Sequence, residues 1–369
     1  MKISYLLAFG FGCRLLLNLL GANVWLEERF ELASPLTAWK RAKEAIFLSR
    51  NNLPLYEGDA SHFPPLLVNF FSVLHSLFRS HMEFAFMLVD VVTAVFLYMA
   101  VSNFVKVQQR TQEAALSRHK DMDPKDYAEL RLDPKEQAKK PMDVLIWTLF
   151  NPFLVLSCVA KSTAVFDHLY MASFLYFYSS ANRIMASCCL AFASYVSFYP
   201  IGIVPALCLQ MWKADKAMIA HRTGRKEFTT SDVVQSCFKT LLCFAFFCLG
   251  LAHVSAILNP SHSFIRSVYG FILSAPDSTP NLGLFWYLFA EMFDHFHHFF
   301  LIVFQLNPFI YILPLTFRLS DDPMFLVHQL IGIFAIFKSY PTLADIGFFI
   351  ALMPLWSHLT KCMFLLLFH

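Results

Sequence analysis

The chain has 369 residues, of which 57% are hydrophobic and 17% aromatic, while only 15% carry a charge. A soluble protein of this length could not bury so much apolar surface, so the composition predicts an all-α polytopic membrane protein in a single membrane domain, 1–369. The formal net charge of +3 is small and scattered along the chain, which excludes a basic surface for nucleic acid.

The first apolar run, residues 3–22, is predicted to be a retained membrane anchor rather than a cleaved signal peptide. Arg14 interrupts this run, and its start is only weakly basic. The polar segment 23–63 follows and contains an amphipathic helix, for which Ser34 is the expected cap and Pro35 the first-turn residue. We expect that helix to lie on a membrane surface or on a partner.

The remaining apolar runs are predicted to be membrane segments. The run 64–78 is too short to span and is expected to be half-inserted or interfacial. Longer runs predict spans, one of them broken at Pro200 and Pro205: 83–105, 143–159, 164–180, 183–212, 233–258, 284–306 and 343–368. With the short, broken runs 307–317 and 324–337, we expect about nine to eleven membrane segments.

The distribution of Lys and Arg predicts the orientation of the chain. Residues 106–141 carry nine Lys/Arg and residues 213–232 carry five, against five in 23–63 and one in 258–283. Because basic loops stay on the cytosolic side, we predict a cytosolic polar loop at 106–141 and a cytosolic basic loop at 213–232. The segment 23–63 and the loop 258–283 are predicted to be lumenal.

Polar residues are concentrated around the predicted 284–306 span. Four ionisable side chains in it would share one face of a continuous helix: Glu291, Asp294, His295 and His298. Such groups cost several kcal/mol in hydrocarbon unless they meet a partner or a wet cavity, so we expect this face to contact protein or a groove. Trp286 and Tyr287, near the start of the run, suit a membrane interface.

Metal binding and glycosyl transfer are two kinds of chemistry for which the sequence offers candidate residues. Carboxylates and imidazoles at 291–298 are metal-ligand types, but the other histidines are solitary, which favours a hydrogen-bonding stripe and no metal or cofactor. Glu27, Glu28 and Glu31 are carboxylates of the kind that a membrane glycosyltransferase uses as a base, although a solvated acidic turn is favoured. No catalytic residue is predicted.

The sequence Lys338-Ser339-Tyr340-Pro341 ends a short apolar run and places a cation and a phenol near an interface. Snorkelling of the lysine towards water and a contact with a phosphate group are equally compatible with this pattern.

Four blocks of the sequence resemble the PIG-U family of glycosylphosphatidylinositol (GPI) transamidase subunits: SPLTAWKR (34–41), NPFLVLSCVAKST (151–163), VYGFILSAPDSTPNLGLFWYLFAEMFDHF (268–296) and IFKSYPT (336–342). The resemblance implies a multi-pass protein of the endoplasmic reticulum membrane. It also implies a caspase-like catalytic subunit and other membrane subunits as partners. The expected function is that of a non-catalytic subunit that binds the GPI glycolipid and presents it for attachment to the C-terminus of proteins.

A second resemblance is to the GT-C class of GPI mannosyltransferases. It is carried by Leu66-Leu67, Asp90 to Ala94 and Asn151-Pro152 and implies a GT-C-like helical bundle. The acidic D-x-D pattern of those enzymes is missing from 23–63, which favours a scaffold that has kept a lipid groove without the catalysis. The alternative function is a polyprenyl-phosphate-sugar-dependent GPI mannosyltransferase.

A lipid groove needs an apolar wall and a few polar groups at the interface. We therefore predict the following lipid-binding residues: Asn281, Trp286, Tyr287, Glu291, His295, Lys338 and Tyr340.

Overall fold

The structure is a computed structural model that describes residues 3–58, 61–116, 133–224, 227–277, 279–357 and 359. The regular elements in these ranges are all helical. The α-helices in chain order are α1 Ile3–Leu19, α2 Ala22–Leu26, α3 Trp39–Arg50, α4 Pro65–Phe78, α5 Met82–Leu116, α6 Pro134–Phe150, α7 Pro152–Val159, α8 Ala164–Ser179, α9 Arg183–Ser197, α10 Val204–Thr223, α11 Thr230–Leu258, α12 Phe271–Ser274, α13 Leu284–Ala290, α14 Asp294–Ile310, α15 Ile312–Arg318, α16 Pro323–Phe337 and α17 Leu343–Leu352. Short 3₁₀ turns occur at Arg79–His81, Tyr199–Ile203 and Met353–Trp356, and a π-helical turn at Ile265–Gly270.

The lengths of the apolar helices confirm the predicted all-α membrane fold. Three helical runs are long and apolar enough to cross a membrane: Pro65–Ala114, Thr230–Leu258 and His295–Arg318. The pair α6–α7 meets the same criterion as one span bent by 44°. Five shorter apolar helical runs of 10–17 residues also occur in the described part of the chain, so short and broken helices are present as predicted.

The two stretches predicted to be cytosolic loops are partly helical. Helix α5 continues through the first part of 106–141 and α6 begins within its last part, while residues 117–132 lie outside the described ranges. Helices α10 and α11 likewise take up most of 213–232. These stretches are rich in Ala, Gln, Lys and Glu, which are good helix formers whether or not a membrane surrounds them.

The amphipathic helix of the first polar segment begins at Trp39, later than predicted. Ser34 donates its N–H to Thr37 Oγ1 at 3.0 Å and the two hydroxyls lie 3.0 Å apart, so this part of the chain closes into a turn of its own. The apolar face of α3 packs on α4, with the Trp39 ring edge against Phe71 at 5.5 Å. The expected partner of this helix is therefore another part of the same chain.

The predicted 143–159 span is broken at Asn151-Pro152, which divides it into α6 and α7. Pro152 lies in the first turn of α7, where its missing N–H costs nothing. The Asn151 side chain accepts the N–H of Phe153 at 3.0 Å and caps the new helix. Because Phe153 N–H would otherwise bond to the Leu149 carbonyl, the break leaves that carbonyl in need of another donor.

Arg14 of α1 supplies this donor. Its Nη1 lies 2.9 Å from the Leu149 oxygen and 2.9 Å from the Gly10 oxygen, and the fully buried guanidinium forms an ion pair with Asp90 of α5. A buried arginine is tolerated in an apolar bundle when its charge is balanced and its donors find acceptors. Asp90 balances the charge and two carbonyls accept from Nη1, while Nε has no hydrogen-bond partner among the described residues. One side chain thus joins α1 to α5 and to the α6–α7 break.

The break predicted around Pro200 is confirmed, since the 3₁₀ turn Tyr199–Ile203 separates α9 from α10. Tyr199 and Ile203 are buried in the main apolar core, together with Phe334 of α16. The last predicted span, 343–368, bends at Pro354 into the 3₁₀ turn that follows α17, and its residues 360–368 lie outside the described part.

The predicted 284–306 span is also wrong as a continuous helix. Helix α13 ends at Ala290 and α14 begins at Asp294, with an extended residue, Phe293, between them. A straight helix through this run would carry several ionisable groups into the apolar layer. The break instead leaves Glu291 and His295 at the surface of the chain.

The Arg14–Asp90 pair gives a test of the packing. Arg14→Met and Asp90→Leu should each lower stability by about 3–5 kcal/mol, because each leaves the other charge buried without its partner. The double variant should be more stable than either single variant. Melting midpoints of the detergent-purified protein, followed by tryptophan fluorescence, measure this. A double variant that is no more stable than the single variants would contradict the prediction.

Candidate functional site

The linker between α16 and α17, residues 338–342, is fixed by buried hydrogen bonds. Ser339 donates its N–H to the Tyr199 hydroxyl at 3.1 Å and its Oγ–H to the Ile272 carbonyl at 2.7 Å. Gln305 of α14 donates to Ser339 Oγ at 2.9 Å and accepts from the Tyr199 hydroxyl at 3.1 Å. The linker is therefore held by three separate parts of the chain.

Lys338 opens the linker, and its side chain is buried within the chain. Its Nζ lies 2.8 Å from Asp345 Oδ1, while the other Asp345 oxygen accepts the N–H and the hydroxyl of Thr342 and so caps α17. Burial lowers the pKa of Lys338, but the carboxylates of Asp345 and Asp167 raise it by more, so its pKa lies above the ordinary value. The lysine is a charged, structural part of this linker.

Tyr340 is also buried, and its ring closes a stack of three aromatic side chains. It lies parallel to Phe271 at 5.2 Å between centroids, and Phe271 lies parallel to His62 at 3.6 Å. The Tyr340 hydroxyl accepts the N–H of Asp277 at 3.0 Å, and burial raises the pKa of this phenol. Tyr340 thereby attaches the linker to the loop that precedes α13.

This loop, called here the entry turn, comprises the described residues 275–277 and 279–283. The buried side chain of Asn281 accepts the N–H of Gly283 at 2.7 Å, which fixes the approach to α13. The Cα of Gly283 packs closely on the linker, beside Ser339 and Pro341. The structure therefore brings Asn281, Lys338 and Tyr340 into one region, as a support for the entry turn.

The other four predicted lipid-binding residues follow the entry turn along the chain, in α13 and around the break before α14. Phe285 anchors α13, because it is buried against Phe304 of α14 at 5.6 Å between centroids. Trp286 is half-buried, whereas Tyr287 is 65% exposed. Glu291 and His295 are exposed at the break between α13 and α14. We call residues 284–298 the presented segment.

The predicted polar stripe does not form one helix face. Because the helix breaks after Ala290, Glu291 precedes α14 and cannot continue its periodicity. His295 and His298 are exposed, and His297 is half-buried against Phe289 at 4.7 Å. In the part of the chain that the structure describes, no three potential ligands come together to hold a metal ion.

Two small cavities adjoin the linker, with volumes of about 30 and 60 Å³, large enough for ordered water. Both are lined by Asp167, Ser197, Tyr199 and Lys338. Asp167 and Asp345 were not among the predicted site residues, although each has a recognisable sequence feature. Asp167 is an isolated acid in an apolar run, and Asp345 completes the capping sequence T-x-x-D with Thr342.

Two of the three candidate carboxylates in the first polar segment, Glu27 and Glu28, form ion pairs. Glu27 lies 2.8 Å from Lys161, with both side chains largely buried, and Glu28 lies 3.2 Å from the exposed Lys40. Glu31 contacts the linker region through its backbone, since its carbonyl accepts the N–H of Leu343 at 2.9 Å. The buried Glu27–Lys161 pair gives Glu27 a structural role, whereas the exposed Glu28–Lys40 pair contributes little to stability.

Comparison with known proteins adds to this geometry. The family described as GPI transamidase subunit PIG-U matches residues 8–368. The chain is 37% identical over 343 residues to the GPI-anchor transamidase component PIGU of Homo sapiens, covering 91% of this chain and 74% of the human protein. It is 29% identical over 342 residues to the GPI transamidase component GAB1 of Saccharomyces cerevisiae, covering 90% and 72% of the two chains.

The contact between the entry turn and the linker is tested at Gly283. A Cβ at this position would lie 2.7 Å from Asn281 Oδ1, 2.9 Å from Pro341 Cδ and 3.1 Å from the Ser339 carbonyl oxygen. Gly283→Ala should therefore displace the turn, at a cost of about 1–3 kcal/mol, and speed amide hydrogen exchange in 279–290.

The matched control is Gly250→Ala on α11, where an added Cβ has no neighbour within 4 Å. This change should leave exchange in 279–290 unchanged. Equal exchange in the Gly283→Ala variant and the unmodified protein would show that the turn does not depend on this contact.

Proposed function

The chain belongs to the PIG-U family of GPI transamidase subunits, and from this membership we propose that it is a non-catalytic subunit that binds the GPI lipid and presents it for transfer to proteins. Its site of action is the endoplasmic reticulum membrane, and its partners include the caspase-like catalytic subunit. A role in GPI transamidation, as one component of a membrane complex, follows from the family itself.

The observation that carries the lipid-binding proposal is the outward position of the presented segment on a rigid support. Tyr287, Phe293 and Phe296 are exposed, and together they provide an apolar wall. Glu291 and His295 add polar groups at the break between the helices. A glycolipid, with a sugar headgroup and acyl chains, requires this combination of apolar surface and hydrogen-bonding groups.

The predicted lipid-binding residues then divide into two roles. Trp286, Tyr287, Glu291 and His295 are proposed to contact the lipid, because they lie on the presented segment. Asn281, Lys338 and Tyr340 are buried, so we assign them to the positioning of that segment. This assignment revises the expectation that Lys338 or Tyr340 reaches a phosphate group directly.

The alternative function, a GPI mannosyltransferase, is supported by one feature. Glu31 has a buried carboxylate oxygen, Oε2, for which the described residues offer no hydrogen-bond partner. A catalytic base would need such an available carboxylate. Glu27 and Glu28, the other two candidates, are held in ion pairs.

Substitution of Trp286 and Tyr287 together tests lipid presentation. In cells that lack their own copy of this subunit, a chain with Trp286→Ala and Tyr287→Ala should bind the lipid about tenfold less well, as expected for loss of an aromatic anchor. Surface display of a GPI-anchored reporter, read by flow cytometry, should fall while co-purification of the other subunits is retained.

The control is Phe246→Ala, which removes an aromatic side chain of similar exposure from α11. It should support normal display. Normal display with both substitutions in the presented segment would overturn the lipid contact. If Glu31→Gln alone abolished display and stopped mannose addition to GPI precursors, the mannosyltransferase function would replace the proposal.

A further inference from the structure

A basic notch lies where the C-terminal ends of α3 and α4 meet, and its lining includes no residue of the presented segment. It has a volume of about 480 Å³ and is lined by Arg50, His75, Ser76, Arg79 and Ser80. The lining contains two guanidinium groups, one imidazole and two hydroxyls, and no carboxylate. Arg50, His75, Arg79 and Ser80 carry groups that can donate hydrogen bonds to an anion, whereas the Ser76 hydroxyl already donates to the Ser72 carbonyl at 2.9 Å.

Three hydrogen bonds hold the Arg50 guanidinium in place and leave Nη1 available as a donor. Its Nε donates to Ser72 Oγ at 3.1 Å, and its Nη2 donates to the Ser72 carbonyl at 2.9 Å and to Ser76 Oγ at 2.5 Å. No hydrogen bond is made by Nη1 within the described ranges. A guanidinium fixed on one side and available on the other is preorganised for an oxyanion.

His75 and Arg79 complete the notch. The Nδ1 atom of His75 is buried, and the described part of the chain provides it with no hydrogen-bond partner. Arg79 is exposed, forms no ion pair with any described carboxylate, and has a backbone φ of 46°. A non-glycine residue in this region is strained, and such strain is concentrated at sites that bind ligands.

An apolar stripe extends from the notch along α4. Phe70, Val73 and Leu77 are spaced i, i+3 and i+7, so they share one helix face, and Val73 and Leu77 are 61% and 73% exposed. Ser76 and Arg79 lie at the end of this stripe. Apolar side chains beside a cluster of cationic donors match a lipid, with its tails on the stripe and its headgroup in the notch.

The predicted orientation makes this cluster unusual. The notch lies at the α4–α5 junction, whereas the basic segments predicted to be cytosolic adjoin the other end of α5. The positive-inside rule disfavours exposed arginines on the lumenal side. Two arginines and a histidine in one lumenal notch therefore need a reason other than topology.

We propose that the notch binds the phosphate group of an anionic membrane phospholipid, whose acyl chains lie along the α4 stripe. Arg50 Nη1, the Arg79 guanidinium and the hydroxyl of Ser80 donate to the phosphate oxygens, and His75 Nδ1 lies beside them. The site is separate from the presented segment, and it stands whether or not that segment binds the GPI lipid.

The test measures lipid binding to the purified transamidase complex that contains this chain. Native mass spectrometry in mild detergent, with added dioctanoyl phosphatidic acid, should show one bound lipid fewer in the Arg79→Gln variant, with affinity for that site about tenfold lower. Arg79→Lys should retain most of the binding. Ser80→Glu, which adds a negative charge at the surface of the notch, should abolish it and serves as a second variant.

The matched control is Lys43→Gln, an exposed cation on α3 outside the notch. Its phosphatidic acid binding should equal that of the unmodified complex. Equal binding in the unmodified, Arg79→Gln and Ser80→Glu complexes would overturn the proposal. The proposal would also be overturned if the variants lost binding of the zwitterionic dioctanoyl phosphatidylcholine to the same degree as binding of phosphatidic acid. Displacement of phosphatidic acid by inorganic phosphate at the same concentration would overturn it too, because it would indicate a site for free anions.

Discussion

The buried pair of Arg14 and Asp90 is the interaction on which the helical bundle depends. An apolar layer accepts a broken helix only if the backbone groups freed by the break find new partners. Arg14 donates to the Leu149 carbonyl at the break between α6 and α7, and its charge is balanced by Asp90. Beyond this break, α7 leads to Thr163, whose N–H and hydroxyl both donate to the Thr37 carbonyl. The first polar segment is thereby joined to the centre of the bundle.

Composition and apolar runs were sufficient to predict the helical membrane fold, and prolines predicted the break near Pro200. The break at 291–293 could not be read from the sequence, because it lies in a run without proline or glycine whose apolar length fits a straight span. The burial of Lys338 and Tyr340 could not be predicted from the sequence either. Tyr340 contacts Asp277, 63 positions away in the chain, and Lys338 shares its cavities with the distant Asp167. Local patterns carry no information about such contacts.

These long-range contacts explain how one part of the chain supports another. Hydrogen bonds from Gln305 and to Tyr199 fix the linker 338–342. The linker in turn holds the entry turn through Tyr340 and through its close contact with Gly283. The presented segment thus begins from a rigid point and carries its exposed aromatic side chains outward. A preorganised surface loses less conformational entropy when it binds a ligand, which favours affinity. In the proposed function, the buried residues act by positioning the presented segment, and its exposed residues act by contact with the lipid.

The most direct test of this account places a photo-crosslinking amino acid at position 287 in the assembled transamidase complex. Illumination should yield an adduct between this chain and the GPI lipid, identified by its mass. The same amino acid at position 249, an exposed site on α11, should yield ordinary phospholipid adducts without GPI. Absence of the GPI adduct at 287, or equal GPI capture at both positions, would contradict the proposal that the presented segment binds the lipid.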